Sequence, residues 1–159
     1  MNKTLQTLLC AAGIALAQHA AAYDAVTNER LLKPEPQNWL MYRGTYNGHG
    51  YSPLDKINKN NVKNLRTAWT WAMSPGATEI TPIVHDGVLF LFNYADKIQA
   101  LDATNGDLLW EFKRPANGRP GRTMAIFEDM IIYGAPDSAI VAVDARTGKL
   151  QRHPRRDVR

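Results

Sequence analysis

Cysteine is almost absent: Cys10 is the only one among 159 residues. No intramolecular disulfide and no cysteine-based metal cluster can form. Long hydrophobic runs are missing as well. The apolar stretch Leu8 to Ala17 covers ten positions, whereas a bilayer span takes about 20. No membrane span is expected in the mature chain. The body of the chain carries no surplus of either charge. Residues 23–150 hold 14 basic and 14 acidic side chains. The formal net charge of +4 comes from Lys3 and from residues 151–159, which contain four Arg and one Asp. A nucleic-acid groove needs basic charge clustered on the folded surface, and this distribution gives no support for one. His19, His49, His85 and His153 show no metal-ligand spacing. Nucleophile-elbow, P-loop and dinucleotide-binding glycine motifs are absent.

Three zones are present. Residues 1–22, MNKTLQTLLCAAGIALAQHAAA, have a short positive start at Lys3, an apolar middle and Ala20-Ala21-Ala22 at the end. This is the pattern of a secretory signal peptide. Thr7-Leu8-Leu9 lacks the small residues expected before a lipidated cysteine, so Cys10 reads as part of the apolar middle. Residues 23–65 form an irregular lead-in. Pro34, Pro36, Pro53, Gly44, Gly48 and Gly50 interrupt it. One short helix is expected from Asn58 to Leu65, capped by Asn58 or Asn60. From Arg66 the pattern becomes that of strands. Thr67 to Trp71 alternates, and β-rich runs follow at Ile80–His85, Val88–Tyr94, Lys97–Asp102 and Leu108–Lys113. Asp86-Gly87, Ala95-Asp96 and Thr104-Asn105-Gly106 separate them as turns. Short strands at this spacing indicate an all-β sandwich, barrel or propeller.

An internal repeat selects the propeller. Residues 81–108 align without a gap on 123–150, and seven of the 28 positions are identical. They are Thr81/Thr123, Ile98/Ile140, Ala100/Ala142, Asp102/Asp144, Ala103/Ala145, Gly106/Gly148 and Leu108/Leu150. A four-stranded blade takes about 40–50 residues, and blades bury their cores only by stacking. The central unit is Ala100-Leu-Asp-Ala-Thr-Asn-Gly-Asp-Leu-Leu-Trp110, which returns as Ala142-Val-Asp-Ala-Arg-Thr-Gly-Lys-Leu150. Here the Asp should bond its own downstream backbone. The Gly takes the positive φ, and the Trp packs flat on the next blade. The oxygens of Asp102 to Asp107 lack the ligand spacing and terminal Glu of an EF-hand loop, so this string reads as a turn.

The unit A-x-D-A-x-T-G-x-x-x-W resembles the tryptophan-docking repeat of quinoprotein dehydrogenases. The lead-in is similar to the start of the methanol/ethanol class of PQQ-dependent alcohol dehydrogenases. It carries Asn38-Trp39-Leu40-Met41-Tyr42-Arg43-Gly44, Gly50-Tyr51-Ser52-Pro53-Leu54, Ile57-Asn58, Asn61 to Leu65 and Ala68-Trp69. The resemblance covers residues 28–150. It implies an eight-bladed periplasmic propeller that holds PQQ and calcium and oxidises a primary alcohol. Electrons then pass to a cytochrome. It also implies cofactor contacts for two residues: Glu79, before Ile80-Thr81-Pro82, and Arg122, before Thr123-Met124-Ala125. The chemistry suits both, because a guanidinium fork bonds paired oxygens and a carboxylate accepts from a ring N–H. The adjacent cysteines that the family often carries before that Arg are replaced by Ala116 and Asn117.

About two blades of the expected fold fit between residues 66 and 150. Arg152 stands at the position of Trp110 in the second repeat, and residues 151–159 form an atypical basic tail. The family's calcium ligands and catalytic base have no counterpart here. The expectation is therefore an N-terminal fragment that is inactive alone and does not hold PQQ stably. The alternative is a non-enzymatic PQQ-repeat propeller that serves as a scaffold for protein interaction. The signal pattern makes one direct prediction. N-terminal sequencing of exported protein should begin at Tyr23, and retention of Met1 would contradict it.

Overall fold

The computed structural model describes residues 23–76, 79–115 and 122–151. The signal pattern 1–22, Ala116 and Asn117, and Arg152 with the rest of the tail lie outside these residues. The architecture is all-β with two antiparallel sheets, a partial propeller. The first sheet has the order β1 (Ile83–His85), β2 (Val88–Asn93), β3 (Lys97–Asp102) and β4 (Leu108–Lys113). The second contains β5 (Met124–Phe127), β6 (Met130–Gly134) and β7 (Ile140–Asp144). Its fourth position is begun by Leu150, which bridges to Val143, and by Gln151, whose N–H donates to the Ala142 carbonyl at 2.9 Å.

The hairpins close where turn residues stand. His85 pairs with Val88 around Asp86-Gly87, both at positive φ (46° and 79°). Two-residue turns of this hand match the strand twist. Burial follows each strand's neighbours. In β3, Ile98, Gln99, Ala100 and Leu101 are all buried, because that strand is covered on both faces. β4 alternates between exposed and half-buried, as an edge strand does. One apolar cluster crosses from sheet to sheet through Phe90, Phe92, Ile98, Ile126, Ile131 and Val143. The Phe92 and Tyr133 rings meet at 4.9 Å across the gap.

The repeat sets the stacking. The Trp110 indole N–H donates to the Ala145 carbonyl at 3.0 Å, and a methyl group added at Gly148 would lie 2.5 Å from the Trp110 ring. Trp69 repeats the contact one blade earlier: its N–H donates to Ala103 at 3.1 Å, and a methyl at Gly106 would lie 2.7 Å away. Both glycines have positive φ, 81° at Gly106 and 68° at Gly148. The two Asp turns form as expected. Asp102 Oδ1 accepts from the Thr104 N–H at 2.7 Å, and Asp144 Oδ1 accepts from the Arg146 and Thr147 N–H groups at 3.0 and 2.9 Å.

Three expectations need correction. Thr67 to Trp71 is no ladder strand among the described residues. Its tryptophans bond across to the first sheet instead, Trp69 as above and Trp71 through Nε1 to Gln99 Oε1 at 3.2 Å. The helix expected at Asn58–Leu65 shrinks to a 3₁₀ turn at Val62–Asn64. Asn61 precedes it without a side-chain cap, and no face of this turn is buried. The lead-in holds a short helix that the proline and glycine pattern did not reveal: α1, Asn28–Leu32, where the Thr27 side chain accepts from the Arg30 N–H.

The lead-in is fastened to both sheets. Trp39 exchanges backbone bonds with Val84 at 2.8 and 3.0 Å, and Val26 with Glu128 at 3.0 and 2.8 Å. A polar clamp adds to these bridges. Arg30 bonds Glu35 at 2.8 Å and Asp86 at 3.3 Å, and its Nη1 lies 3.0 Å from His85 Nε2. The imidazole is buried under the Tyr23 ring, on which Arg146 stacks. Accepting from Arg30 requires Nε2 without a proton. Burial, chiefly, and the Arg30 charge hold the His85 pKa below its ordinary value, against the pull of Asp86 and Glu35. Hydrogen bonds from Arg30 and Asn38 hold Glu35 down at about 2.

Both shifts have the same sign. The unfolded chain binds protons that the fold refuses, so stability is full above the unfolded values and falls with falling pH. For His85 the loss begins below about 6.5. Thermal melts from pH 7 to 5 should show a falling midpoint. His85→Gln should start lower and flatten that slope, and an unchanged slope would contradict the clamp.

Candidate functional site

Glu79 and Arg122 enter the two sheets at matching places. Each precedes the first strand of its sheet, β1 and β5, and these strands lie against each other. The structure brings the two side chains together as an ion pair: Arg122 Nε lies 2.9 Å from Glu79 Oε2. The Arg122 side chain is 74% exposed and that of Glu79 66%, so water screens the pair and its contribution to folding is small. The pair therefore sits at the open edge where the two sheets begin, with charge available to a ligand. The remaining guanidinium N–H groups can bond paired oxygens, and the free carboxylate oxygen can accept.

An anionic ligand with paired oxygens is the class that such an exposed fork can bond. The arrangement offers no cation cage: among the described residues, no group of three or more His, Cys, Asp or Glu is placed to hold a metal ion. A separate cavity of about 320 Å³ lies in the lead-in, lined among others by Pro34, Trp39, Gly44, Tyr51 and Pro53. Neither Glu79 nor Arg122 lines it.

The supports of this edge escaped the sequence reading. Asn93, at the end of β2, is buried. Its Oδ1 accepts from the Ser74 and Tyr94 N–H groups at 3.0 and 2.8 Å, and its Nδ2 donates to Gln99 at 2.9 Å. Gly76 then presses on Tyr94, where an added methyl would lie 2.4 Å from the ring. A buried asparagine beside a turn reads in sequence as one more turn residue, so only the fold shows what it holds.

Residues 39–153 match the family described as glucose/ethanol/alcohol dehydrogenase, beta-propeller domain, whose model bears the name PQQ. The chain belongs to this PQQ β-propeller family. Among curated relatives it is 35% identical over 166 residues to the dehydrogenase subunit of a quinone-dependent alcohol dehydrogenase from Gluconacetobacter polyoxogenes, which covers 94% of this chain and 22% of that protein. It is 34% identical to a 1-butanol dehydrogenase (quinone) from Thauera butanivorans, across 92% of this chain and 25% of that one. A solved structure of the quinohemoprotein alcohol dehydrogenase ADHIIG from Pseudomonas putida HK5 superposes with a TM-score of 0.72 at 30% identity, over 82% of this chain and 22% of that one. A europium-containing methanol dehydrogenase gives 0.70 at 28%, over 77% and 24%. The chain thus spans about a quarter or less of the length of these relatives. No helix among the described residues is long and apolar enough to cross a membrane.

Proposed function

We propose that this chain is the N-terminal part of a periplasmic, PQQ-dependent dehydrogenase that oxidises a primary alcohol. The observation that carries this reading is the exposed Arg122–Glu79 pair at the entry to both sheets, in a chain of the PQQ family. The relatives named above act on alcohols through a quinone, according to their names, and this supports the substrate class. The signal pattern at residues 1–22 supports export.

In this reading Arg122 binds PQQ oxygens and Glu79 accepts from its ring N–H. The bound quinone supplies the acceptor for the hydride that leaves the alcohol carbon. Calcium would complete that cofactor's site with six to eight oxygen ligands, which the rest of the whole protein would supply. A base to take the alcohol proton also lies elsewhere, and without one the reaction is slow. Arg122 and Glu79 therefore bind and orient; they move no proton. By itself the chain holds PQQ weakly and turns over no alcohol, and a cytochrome serves as electron acceptor in the whole protein.

A chimera tests this reading. The matching N-terminal portion of the Gluconacetobacter relative is replaced by this chain, and dye reduction is measured with alcohol, PQQ and calcium. The chimera should be active and the chain alone inactive. Arg122→Ala in the chimera should reduce the rate about tenfold or more, the size expected for losing a charged hydrogen bond. Turnover by the chain alone would contradict the partial-site reading. An unaffected Arg122→Ala chimera would contradict the assignment of Arg122.

A further inference from the structure

The loop between β2 and β3, Tyr94-Ala95-Asp96, lies at the end of the first sheet where β1 begins, since β1 runs antiparallel to β2, and the Glu79–Arg122 pair precedes β1 at that end. Ala95 and Asp96 both have positive φ, 65° and 52°. Neither is glycine, so this loop carries backbone strain that its surroundings must hold. Asp96 is fully buried. Its Oδ2 lies 3.4 Å from Arg114 Nη1, and its backbone carbonyl accepts from the Arg114 N–H at 3.1 Å. Arg114 reaches on to Asp137, in the equivalent loop of the second sheet, at 2.6 Å. One guanidinium thus ties matching loops of neighbouring sheets.

From this loop, contacts run to the segments that flank both candidate cofactor residues. Toward Glu79, the Asn93 and Tyr94 contacts hold Ser74 and Gly76, and Gly76 is three residues before Glu79. Toward Arg122, Asp96 holds Arg114 at one end of the connection. At the other end Asp96 faces the buried Tyr133 hydroxyl, whose pKa it helps burial to raise. Tyr133 pairs with Met124, two residues after Arg122. Asp96 Oδ1 and the Tyr133 hydroxyl are both buried without a completed hydrogen bond. A buried carboxylate with one ion-pair partner is a costly element, and here it stands where two loops meet.

We propose that Asp96 is the positioning residue of this edge: through its loop it holds the Glu79 and Arg122 segments as one unit, and so fixes the spacing of the two groups. The proposal rests on the functional reading only for what those two groups bind. Its test needs no cofactor, so failure of PQQ binding and failure of the coupling are distinguishable.

The test is limited proteolysis of the full chain and its Asp96→Asn variant. Glu-C reports at Glu79, with Glu29 as reference. Trypsin reports at Arg122, with Lys63 as reference. Asp96→Asn should speed cleavage at both Glu79 and Arg122 by about fivefold or more, as local opening does, and leave both reference sites unchanged. Asp137→Asn, at the exposed end of the clamp, should leave Glu79 cleavage unchanged. Faster cleavage at all four sites would mean general unfolding and would overturn the proposal. So would a rise at one site alone, or no rise. If Asp96→Asn loses its cooperative melt, Arg114→Gln should give the same two-site pattern, and its failure to do so would equally overturn the proposal.

Discussion

An indole laid on a glycine is the contact on which the rest of this structure depends. Trp69 sits on Gly106 and Trp110 on Gly148, and each indole N–H reaches the carbonyl of the alanine three residues before its glycine. The contact needs every part of the repeated unit. The aspartate bonds its own turn and sets its shape. The glycine supplies positive φ and removes the Cβ that would strike the ring. The tryptophan brings apolar area together with one N–H that must be satisfied once it is half-buried. Since the tryptophan belongs to one unit and the glycine to the next, each repeat folds only against its neighbour.

The candidate site follows from that stacking. Because the sheets stack in register, β1 and β5 begin side by side, and the residues before them, Glu79 and Arg122, meet at 2.9 Å although 43 positions separate them. The lead-in then braces the assembly through Trp39–Val84, Val26–Glu128 and the Arg30 clamp on His85. Stability and function thus occupy different places. The buried contacts carry the fold, while the Glu79–Arg122 pair is exposed and contributes little to it, which leaves both side chains available for a ligand.

Much of this was legible in the sequence. The repeat at a fixed offset showed the propeller, and its Asp and Gly residues marked the turns that form. Lys97–Asp102 and Leu108–Lys113 are strands with those same bounds. Thr67 to Trp71 misled because alternation reports two faces and not a ladder partner. Its tryptophans satisfy their N–H groups on the first sheet instead. The helix α1 was hidden because Pro34 and Pro36 close behind it and leave it short, and it is fixed by Thr27 and the Arg30 network rather than by a long apolar stripe. Asn93 and Asp96 were illegible as supports, since a buried polar residue in a turn has no periodic signature. The pairing of Glu79 with Arg122 was likewise invisible, because sequence separation carries no distance.

The most direct measurement compares two glycines. Gly148 and Gly87 both have positive φ, 68° and 79°, but an added methyl meets the Trp110 ring at Gly148 and open space at Gly87. Alanine at either position bears the same backbone strain, so the difference between the two isolates the docking contact. Chemical denaturation of Gly148→Ala and Gly87→Ala should show Gly148→Ala less stable by roughly 1–3 kcal/mol, the range for overpacking a filled site. Equal losses would mean that tryptophan docking does not hold the sheets together.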